Sequence, residues 1–315
     1  MSDELSTITA TAEDAGTRLD AFLASRIEGW SRSRLQRLIE DESILVNAKP
    51  AKASHKVREG DEIDIDLTEA PAARFEPEDI PLDIVYEDEY LAVINKPAGM
   101  VVHPGAGISS GTLANAVAHH FELVTSHSSP VTRLGIVHRL DKDTSGLIVV
   151  AKDEQTHEAL AEQFRDRTVE KSYVALVHGS TRENKGTIDR PLARDRWHRT
   201  KMTVAANGRH ALSIWKVRQR FEKFSLLDVD IKTGRTHQIR VHLASINHPV
   251  VGDATYNEGR DNTINDSDTK RAVDSMNRFF LHAQRLAFTH PKTNERITLN
   301  CELPQELTDL LKHLA

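Results

Sequence analysis

The chain has 315 residues, of which 39% are hydrophobic and 28% charged, a balance typical of a globular protein with a sizeable core. The single cysteine, Cys301, excludes an internal disulfide, and no apolar stretch approaches the about 20 residues that span a bilayer. The net charge of −6 excludes a uniformly basic protein. We therefore expect a soluble, membrane-independent protein of a reducing compartment, namely the cytoplasm.

The first part of the chain, residues 1–67, combines predicted helices with short strands. Apolar residues recur at helical spacing from Leu19 to Ile27, and a second helix is predicted from Ser31, a suitable N-cap. Extended pieces follow around Ile44–Asn47 and Glu62–Leu67. The pattern predicts a small α/β module.

Positive charge is concentrated in this module. Between Arg18 and Arg58, nine basic residues stand against five acids, a local charge of +4 within an acidic chain. Such an excess is typical of a surface that binds polyanions. A solvated helix face explains the charge equally well.

Residues 68–81 are rich in proline and have no periodic face, which predicts a linker. In residues 82–315, strand-like runs outnumber helices and are often joined by short connections. This pattern favours an α+β domain, with a mixed, largely antiparallel sheet and flanking helices, over a doubly wound parallel sheet. Helices are predicted at Leu113–Val124 and Glu154–Arg167, and a long mobile surface loop at Tyr256–Arg278.

The first candidate site is a polar island in the segment GIVHRLDKDTSGLIVVAK, Gly135–Lys152. Apolar flanks on both sides place Asp141 at the edge of a core. If the island is extended, Arg139 and Asp141 project to the same side. On pattern alone, a turn or capping acid with Arg139 as its salt-bridge partner is the preferred interpretation of Asp141.

The second candidate site is the segment TGRTHQIRVHLASINHPVVGD, Thr233–Asp253. Its cations and amides suit a phosphate, a carboxylate or a base edge. A strand with a solvated polar face is an equal alternative, and the pattern does not decide whether Gln238–Leu243 is strand or helix.

Several other kinds of site are excluded or weak. The sequence has no phosphate-binding P-loop, no dinucleotide fingerprint and no metal-ligand spacing, so a metal site is not expected. Gly107–Gly111 fits the serine-hydrolase pattern G-x-S-x-G around Ser109. Because a loop with proline and glycine precedes it, rather than a buried strand, a serine hydrolase is only a weak alternative.

Three segments resemble the signature blocks of the RluA-type family of RNA pseudouridine synthases. They are INKPAGMVVHPG at 94–105, HRLDKDTSG at 138–146 and TGRTHQIRVHL at 233–243, and the match runs in consistent order from Leu82 to Leu303. The basic module resembles the S-four-like RNA-binding module. The layout is most similar to the D-type members, which modify large-subunit ribosomal RNA. The resemblance implies an isomerase that converts uridines in RNA to pseudouridine without a cofactor.

The resemblance also implies a role for four side chains. Asp141 is the catalytic carboxylate, and Arg240 is the cation that keeps it ionised in spite of burial. Tyr173 lies against the target base, and Arg139 enters the stack when the nucleotide is flipped. The other predicted contacts are His138, Arg235 and Gln238 for the substrate, and Arg32, Arg34, Arg37 and Lys49 for RNA.

Two departures from the family pattern are not expected to touch the chemistry. Ala48 follows Asn47 where a turn glycine is usual, and Phe279–Phe280 stand where small or polar residues are commoner. We expect a monomer whose partner is RNA, as free ribosomal RNA or in a ribosomal particle. A non-enzymatic RNA-binding protein is the alternative, although it would have no reason to keep the predicted catalytic residues together.

Overall fold

The computed structural model describes residues 5–27, 32–40, 42–66, 76–104, 108, 110–121, 135–198 and 201–315. Ser31, Ser109 and most of the predicted linker lie outside these ranges. The chain forms two compact units, Met1–Arg74 and Phe75–Ala315. The three-part division of the chain stays a prediction.

The first unit is a four-stranded antiparallel sheet with two helices. The helices and strands are β1 (Leu5–Thr9), α1 (Leu19–Arg26), α2 (Arg32–Glu40), β2 (Ile44–Val46), β3 (Lys49–Pro50) and β4 (Glu62–Asp66), and the strand order is β1-β4-β2-β3. Apolar side chains of both helices pack against alternate residues of β2 and β4, such as Ile63 and Ile65. This unit therefore has a core of its own.

A two-residue turn, Asn47–Ala48, joins β2 to β3. Both residues have positive φ angles, 52° and 57°. Asn47 fits this position because its side chain accepts a hydrogen bond from the Glu62 amide at 2.9 Å and donates one to Asp61 at 2.8 Å. Ala48 has no such compensation, and only glycine adopts this conformation freely.

The second unit is built on one nine-stranded sheet. Its strands are β5 (Ile84–Glu87), β6 (Leu91–Lys96), β7 (Ser145–Ala151), β8 (Glu170–His178), β9 (Lys185–Asp189), β12 (Leu212–Arg220), β13 (Phe224–Ile231), β14 (Leu281–Thr289) and β15 (Arg296–Asn300). The order is β5-β6-β7-β14-β8-β13-β12-β9, with β15 also on β14. Strands β10 (Leu192–Arg194) and β11 (Met202–Val204) form a separate hairpin.

Helices flank the large sheet: α3 (Leu113–His120), α4 (Glu154–Asp166), α5 (Gln238–Ser245), α6 (Ser267–Ser275) and α7 (Gln305–Leu314). Every pair of neighbouring strands in the sheet is antiparallel except β7 and β14. The predicted α+β fold with a mixed, largely antiparallel sheet is confirmed. No helix in the described part of the chain combines the length and the apolarity needed to cross a membrane.

The parallel strands β7 and β14 need a glycine where they come into contact. Gly146 of β7 lies beside Ala283 of β14, and a Cβ atom at Gly146 would lie 2.3 Å from the Ala283 carbonyl oxygen. The φ angle of Gly146, 113°, is also one that other residues rarely adopt. The glycine that ends the HRLDKDTSG block therefore allows β14 to join β7.

Two helix starts follow directly from local sequence. Thr112 caps α3 as predicted, since its side chain accepts a hydrogen bond from the Asn115 amide, and Asp153 caps α4 by accepting one from Thr156 at 2.8 Å. Helix α4 ends where Arg167 takes a left-handed conformation. Helix α3 ends at His120, four residues before the predicted end, and residues 122–134 lie outside the described ranges.

The predicted mobile loop at Tyr256–Arg278 is wrong. The segment holds a short 3-10 helix, Arg260–Thr263, and helix α6, which Asp266 caps through the Thr269 amide at 2.8 Å. Val273 and Met276 pack into the main core. The Asn and Asp residues that suggested a loop act instead as caps and hydrogen-bond partners.

Candidate active site

A buried lysine binds the backbone of the loop that carries Asp141. Lys96, at the end of β6, is fully buried, and its Nζ donates hydrogen bonds to the carbonyl oxygens of Pro97 (2.7 Å), Met100 (2.8 Å) and Lys142 (3.0 Å). Burial lowers the pKa of Lys96 to about 7. The segment 94–105 is thereby joined to the residue next to Asp141.

Asp141 and Arg240 meet as the resemblance implied. Nη1 of Arg240 lies 3.2 Å from Oδ2 of Asp141, and their side chains are 7% and 17% exposed. Arg240 comes from α5, so the structure decides that Gln238–Leu243 is helical. The two side chains therefore form a largely buried ion pair.

Asp253 fixes the orientation of Arg240. Its carboxylate, only 1% exposed, accepts hydrogen bonds from Nε at 2.7 Å and from Nη2 at 2.8 Å. Burial opposes the charge of Arg240, but the hydrogen bonds to Asp253 and the charge of Asp141 outweigh it and raise the pKa of the guanidinium. Arg240 is therefore a permanent cation with one nitrogen turned to Asp141.

Two aromatic rings enclose the same guanidinium. Its carbon atom lies 4.3 Å from the ring centre of Phe279 and 4.9 Å from that of Tyr256. Such contacts restrict a guanidinium to one plane and add a cation–π attraction. The expectation that the Phe279–Phe280 departure stays away from the predicted site is therefore wrong for Phe279.

Asp141 faces a cavity of about 650 Å³ that also holds Tyr173, on β8. Burial, reinforced by the charge of Asp141, raises the pKa of the Tyr173 phenol, so the ring is neutral. Arg139 is exposed and lines both this cavity and an adjacent one of about 850 Å³. The structure thus brings Asp141, Arg240, Tyr173 and Arg139 to the rim and wall of one cavity, which His138, Arg235 and Gln238 also line.

His138 lines the cavity as a neutral ring. Its Nε2 accepts a hydrogen bond from the Val149 amide at 3.1 Å, and its ring stacks on Phe164 with centres 4.5 Å apart. Burial, with a smaller effect from Lys171, lowers its pKa to about 3. The ring can therefore offer the cavity a face or its other nitrogen, but no positive charge.

Gln238 lines the cavity, but its amide is engaged within the protein. Oε1 accepts from the Thr233 hydroxyl at 2.7 Å and the Arg235 amide at 3.1 Å. Nε2 donates to the Leu212 carbonyl and the Ser213 hydroxyl, both at 3.0 Å. These four bonds use the full capacity of an amide side chain. Its substrate contact stays a prediction, which this geometry does not favour.

Arg235 also lines the cavity and is half-buried. Its Nε donates to the His210 carbonyl at 3.1 Å. Burial and the nearby cations Arg209 and Arg167 lower its pKa. Because cations gather around it, Arg235 is an attractive position for a phosphate.

Sequence reasoning gave no role to His237 or Asp253, although both lie in the second candidate segment, and it missed Tyr256. His237 precedes α5 with a φ angle of 55°, and its Nδ1 lies 2.7 Å from the Tyr256 hydroxyl. A left-handed histidine beside a cavity is a form of backbone strain that clusters at functional sites. Asp253 is the last residue of the segment 233–253. Its presence in the same segment as Arg240 was the only sequence signal that the two side chains could pair.

The predicted RNA-binding residues lie in the first unit. Arg32 is exposed and forms an ion pair of 3.0 Å with the buried Asp20, which Arg18 and Gln36 also contact. These hydrogen bonds, led by that of Arg18, lower the pKa of Asp20. Lys49 is exposed on β3. The side chains of Arg34 and Arg37 are not among those that the structure describes.

Among the described residues, no group of three or more His, Cys, Asp or Glu side chains has the arrangement of a metal site. The serine proposed for the hydrolase alternative, Ser109, lies outside the described residues. Thr112, three residues later, begins a capped helix.

Comparison with known proteins assigns both parts of the chain. Residues 90–245 match the family model described as RNA pseudouridylate synthase, and residues 17–63 match that of the S4 domain. A Bacillus subtilis protein named as an RNA pseudouridine synthase is 41% identical, with 98% of this chain and 97% of that protein covered. The chain belongs to the RNA pseudouridine synthase family.

Other relatives agree with this assignment of the synthase. The ribosomal large subunit pseudouridine synthase D of Nitrosomonas europaea is 44% identical over 97% of this chain and 87% of its own. The protein of that name from Escherichia coli is 40% identical over 97% and 93%. A solved structure, human RNA pseudouridylate synthase domain containing 4, superposes with a TM-score of 0.58 at 26% identity, covering 73% of this chain and 92% of its own.

The predicted enzyme class is thereby confirmed, since the synthase belongs to a family of isomerases that act on RNA. Membership favours this class over a non-enzymatic RNA-binding protein and over a serine hydrolase.

Proposed function

We propose that this synthase isomerises selected uridines of large-subunit ribosomal RNA to pseudouridine, with Asp141 as its catalytic carboxylate. The observation that carries the proposal is the pair of Asp141 and Arg240, 3.2 Å apart, at the wall of a cavity of about 650 Å³. The substrate follows from the relatives named ribosomal large subunit pseudouridine synthase D, at 40–44% identity over 97% of the chain.

The chemistry asks for one ionised carboxylate beside the ribose. The reaction breaks the N-glycosidic bond, turns the uracil and rejoins it through carbon, with no net redox change and no water consumed. Asp141 acts on the sugar as a nucleophile or as a base. Arg240, itself held by Asp253, places a positive charge beside Asp141. The proposed mechanism therefore needs no cofactor.

Two further residues receive the flipped nucleotide. Tyr173, a neutral phenol in the wall of the cavity, lies against the uracil and limits its tilt. Arg139, exposed where the two cavities meet, enters the gap left in the RNA stack. Flipping costs a few kcal/mol, and a planar guanidinium replaces part of the lost stacking.

The hydrogen bonds that each remaining predicted site residue already makes within the protein suggest its role. We assign Arg235 to a phosphate of the substrate and the His138 ring to an apolar or hydrogen-bonding contact. Gln238 acts as a positioning residue, because its amide ties Thr233 to the start of α5. Residues 1–67 bind and place the RNA, with Arg32, Arg34, Arg37 and Lys49 on phosphates, and residues 68–81 link this module to the catalytic domain. The protein acts as a cytoplasmic monomer.

Mapping of pseudouridines in ribosomal RNA tests the proposal. RNA from cells with and without the gene is compared at every uridine, and purified enzyme is then supplied with large-subunit RNA from the deletion strain. We expect large-subunit pseudouridines to vanish on deletion and to return on treatment. Unchanged large-subunit sites, with losses in transfer RNA instead, would replace the proposed substrate but keep the enzyme class.

A further inference from the structure

The hairpin of β10 and β11 carries the most exposed large hydrophobic side chain among the described residues. Trp197, in the connection between the two strands, is 87% exposed, whereas no other side chain of that kind exceeds 38%. Tryptophan is highly buried on average because its ring carries a large apolar area. A ring presented to this extent indicates a contact surface for a ligand.

Asp195 orders the backbone that presents the ring. Its Oδ1 accepts hydrogen bonds from the backbone amides of Trp197 at 2.8 Å and His198 at 2.7 Å. An acid that binds the amide two residues later forms an Asx turn, which fixes the chain direction locally. The ring therefore stands on a hydrogen-bonded turn, and less conformational entropy is lost when it binds.

The sequence on both sides of Trp197 is basic. From Arg190 to Arg209 the sequence has six basic residues and one acid, a local charge of +5 in a chain of net charge −6. Arg194 and Arg196, on either side of Asp195, are exposed. Cations for phosphates together with an aromatic ring for a base form the combination that binds single-stranded nucleic acid. An apolar protein partner would not require these charges.

The base of the hairpin is joined to the candidate active site. The Met202 amide donates a hydrogen bond to the Tyr256 hydroxyl at 2.8 Å, and the Tyr256 ring packs on the guanidinium of Arg240. Trp197 precedes Met202 by five residues, which span at most about 17 Å when extended. The ring is therefore within reach of nucleotides that flank a uridine bound in the cavity.

We infer that Trp197 stacks on an unpaired base of the RNA substrate close to the target uridine, while the neighbouring arginines bind the phosphates beside it. The inference deepens the proposed function, on which it rests only in that the substrate is RNA. Trp197 then contributes to substrate choice. It favours RNA with an unpaired base at the matching distance from the target over RNA in which that base is paired.

Three substitutions at one position test the stacking. Trp197→Phe keeps a planar ring, Trp197→Leu keeps apolar area without a ring, and Trp197→Ala removes both. The probes are a labelled 16-nucleotide oligouridine and an RNA duplex of the same length, with affinity measured by fluorescence anisotropy. Single-turnover pseudouridine formation is measured on transcribed large-subunit RNA. Thermal unfolding confirms that each variant is folded.

We expect Trp197→Ala and Trp197→Leu to weaken oligouridine binding about 5-fold to 150-fold, the usual effect of losing one base stack. Trp197→Phe should keep most of the affinity, and duplex affinity should not change. The turnover rate at saturating enzyme should also stay within about twofold, because Trp197 is outside the cavity.

Three results would overturn the inference. They are equal oligouridine affinity of the parent and Trp197→Ala, full affinity of Trp197→Leu, and a loss of self-association without a change in RNA affinity. The last would assign the ring to a second copy of the chain. If Trp197 governs oligouridine binding while large-subunit RNA stays unmodified, the proposed substrate fails and the stacking assignment stands.

Discussion

Asp253 holds Arg240 by two hydrogen bonds, from Nε at 2.7 Å and from Nη2 at 2.8 Å, and leaves Nη1 to face Asp141 at 3.2 Å. A second, buried carboxylate thus fixes the orientation of the cation beside the proposed catalytic carboxylate. A guanidinium held at two of its three nitrogens cannot rotate without breaking both bonds.

The first prediction concerns this aiming role. Asp253→Asn keeps the shape of the side chain but removes its charge and turns one acceptor into a donor, so Arg240 loses its fixed orientation. We expect the single-turnover rate to fall about 100-fold, as for a catalytic group misplaced by about 1 Å. We also expect the free energy of unfolding to fall by about 3 kcal/mol, because a buried ion pair is broken. RNA affinity should be kept.

Asp268→Asn is the matched control, since Asp268 pairs with Arg271 on the exposed side of α6 and lines neither cavity. It should leave the rate unchanged and the free energy of unfolding within about 1 kcal/mol of the parent. Parental turnover in Asp253→Asn would show that Asp141 does not depend on an oriented Arg240.

The second prediction concerns Asp141 itself. Asp141→Asn should abolish turnover in a protein that still folds and binds RNA, because an amide is neither an adequate nucleophile nor a useful base. Single-turnover pseudouridine formation is measured with enzyme in excess, beside melting temperature and RNA affinity. A folded variant within about tenfold of the parent rate, a barrier change of only about 1.4 kcal/mol, contradicts the mechanism.

The third prediction separates RNA affinity from catalysis. The two units have separate hydrophobic cores, so a chain that begins at Phe75 should fold alone. Since the charge of +4 between Arg18 and Arg58 is lost, this chain should bind RNA more weakly and with a shallower slope of log affinity against log salt. Equal slopes for the two proteins would assign the basic residues to a merely solvated surface.

The fourth prediction concerns the turn between β2 and β3. Ala48→Gly should stabilise the first unit by about 0.5–1 kcal/mol, because relief of the left-handed strain exceeds the greater entropy of glycine in the unfolded chain. Chemical unfolding followed by circular dichroism measures the change. Ala51→Gly, at a residue without a positive φ angle, should instead destabilise the unit. Equal effects of the two substitutions would show that the turn stores no strain.

The fifth prediction is a pH dependence of stability from His282. This ring is fully buried, its Nδ1 lies 2.8 Å from the Ser145 hydroxyl, and its Nε2 lies 3.1 Å from Sγ of Cys301. Burial, and then the nearby Arg278, lower its pKa to about 4. The unfolded ring, with a pKa of about 6.5, therefore takes up a proton first as the pH falls.

Stability should consequently fall as the pH drops from about 6.5 towards 4, by up to about 1.4 kcal/mol per pH unit from this group. His282→Gln should flatten the dependence by about that amount, and His210→Gln, at an exposed ring, should not. Unfolding in denaturant at pH 6.5, 5.5 and 4.5 measures the three slopes. Identical slopes for the parent and His282→Gln would show that His282 takes up its proton equally in both states.

Local sequence predicted the parts of the fold that depend on near neighbours. The apolar run Leu147–Val150 gave the fully buried β7, and Thr112 gave the start of α3. Helix α5 could not be predicted because polar and apolar residues alternate along it. Gln238, Arg240 and His242 are all buried, so the helix has no polar face that would show a helical period.

The site residues that match the family's signature blocks could be predicted from the sequence. The residues that support them could be predicted only in part. Asp141 and Arg240 were named from sequence, whereas the acid that orients Arg240 becomes visible only when α5 and the turn after it pack together. Tertiary structure supplies such relations because they join residues that no local period connects.

Strand β14 lies between β7 and β8, although it is translated after both of them. Until residues 281–289 have left the ribosome, β7 and β8 each have one edge whose backbone groups lack a partner strand. Exposed edges of this kind are templates for pairing with other chains. We therefore expect a chain stalled before β14 to aggregate more readily than the complete chain.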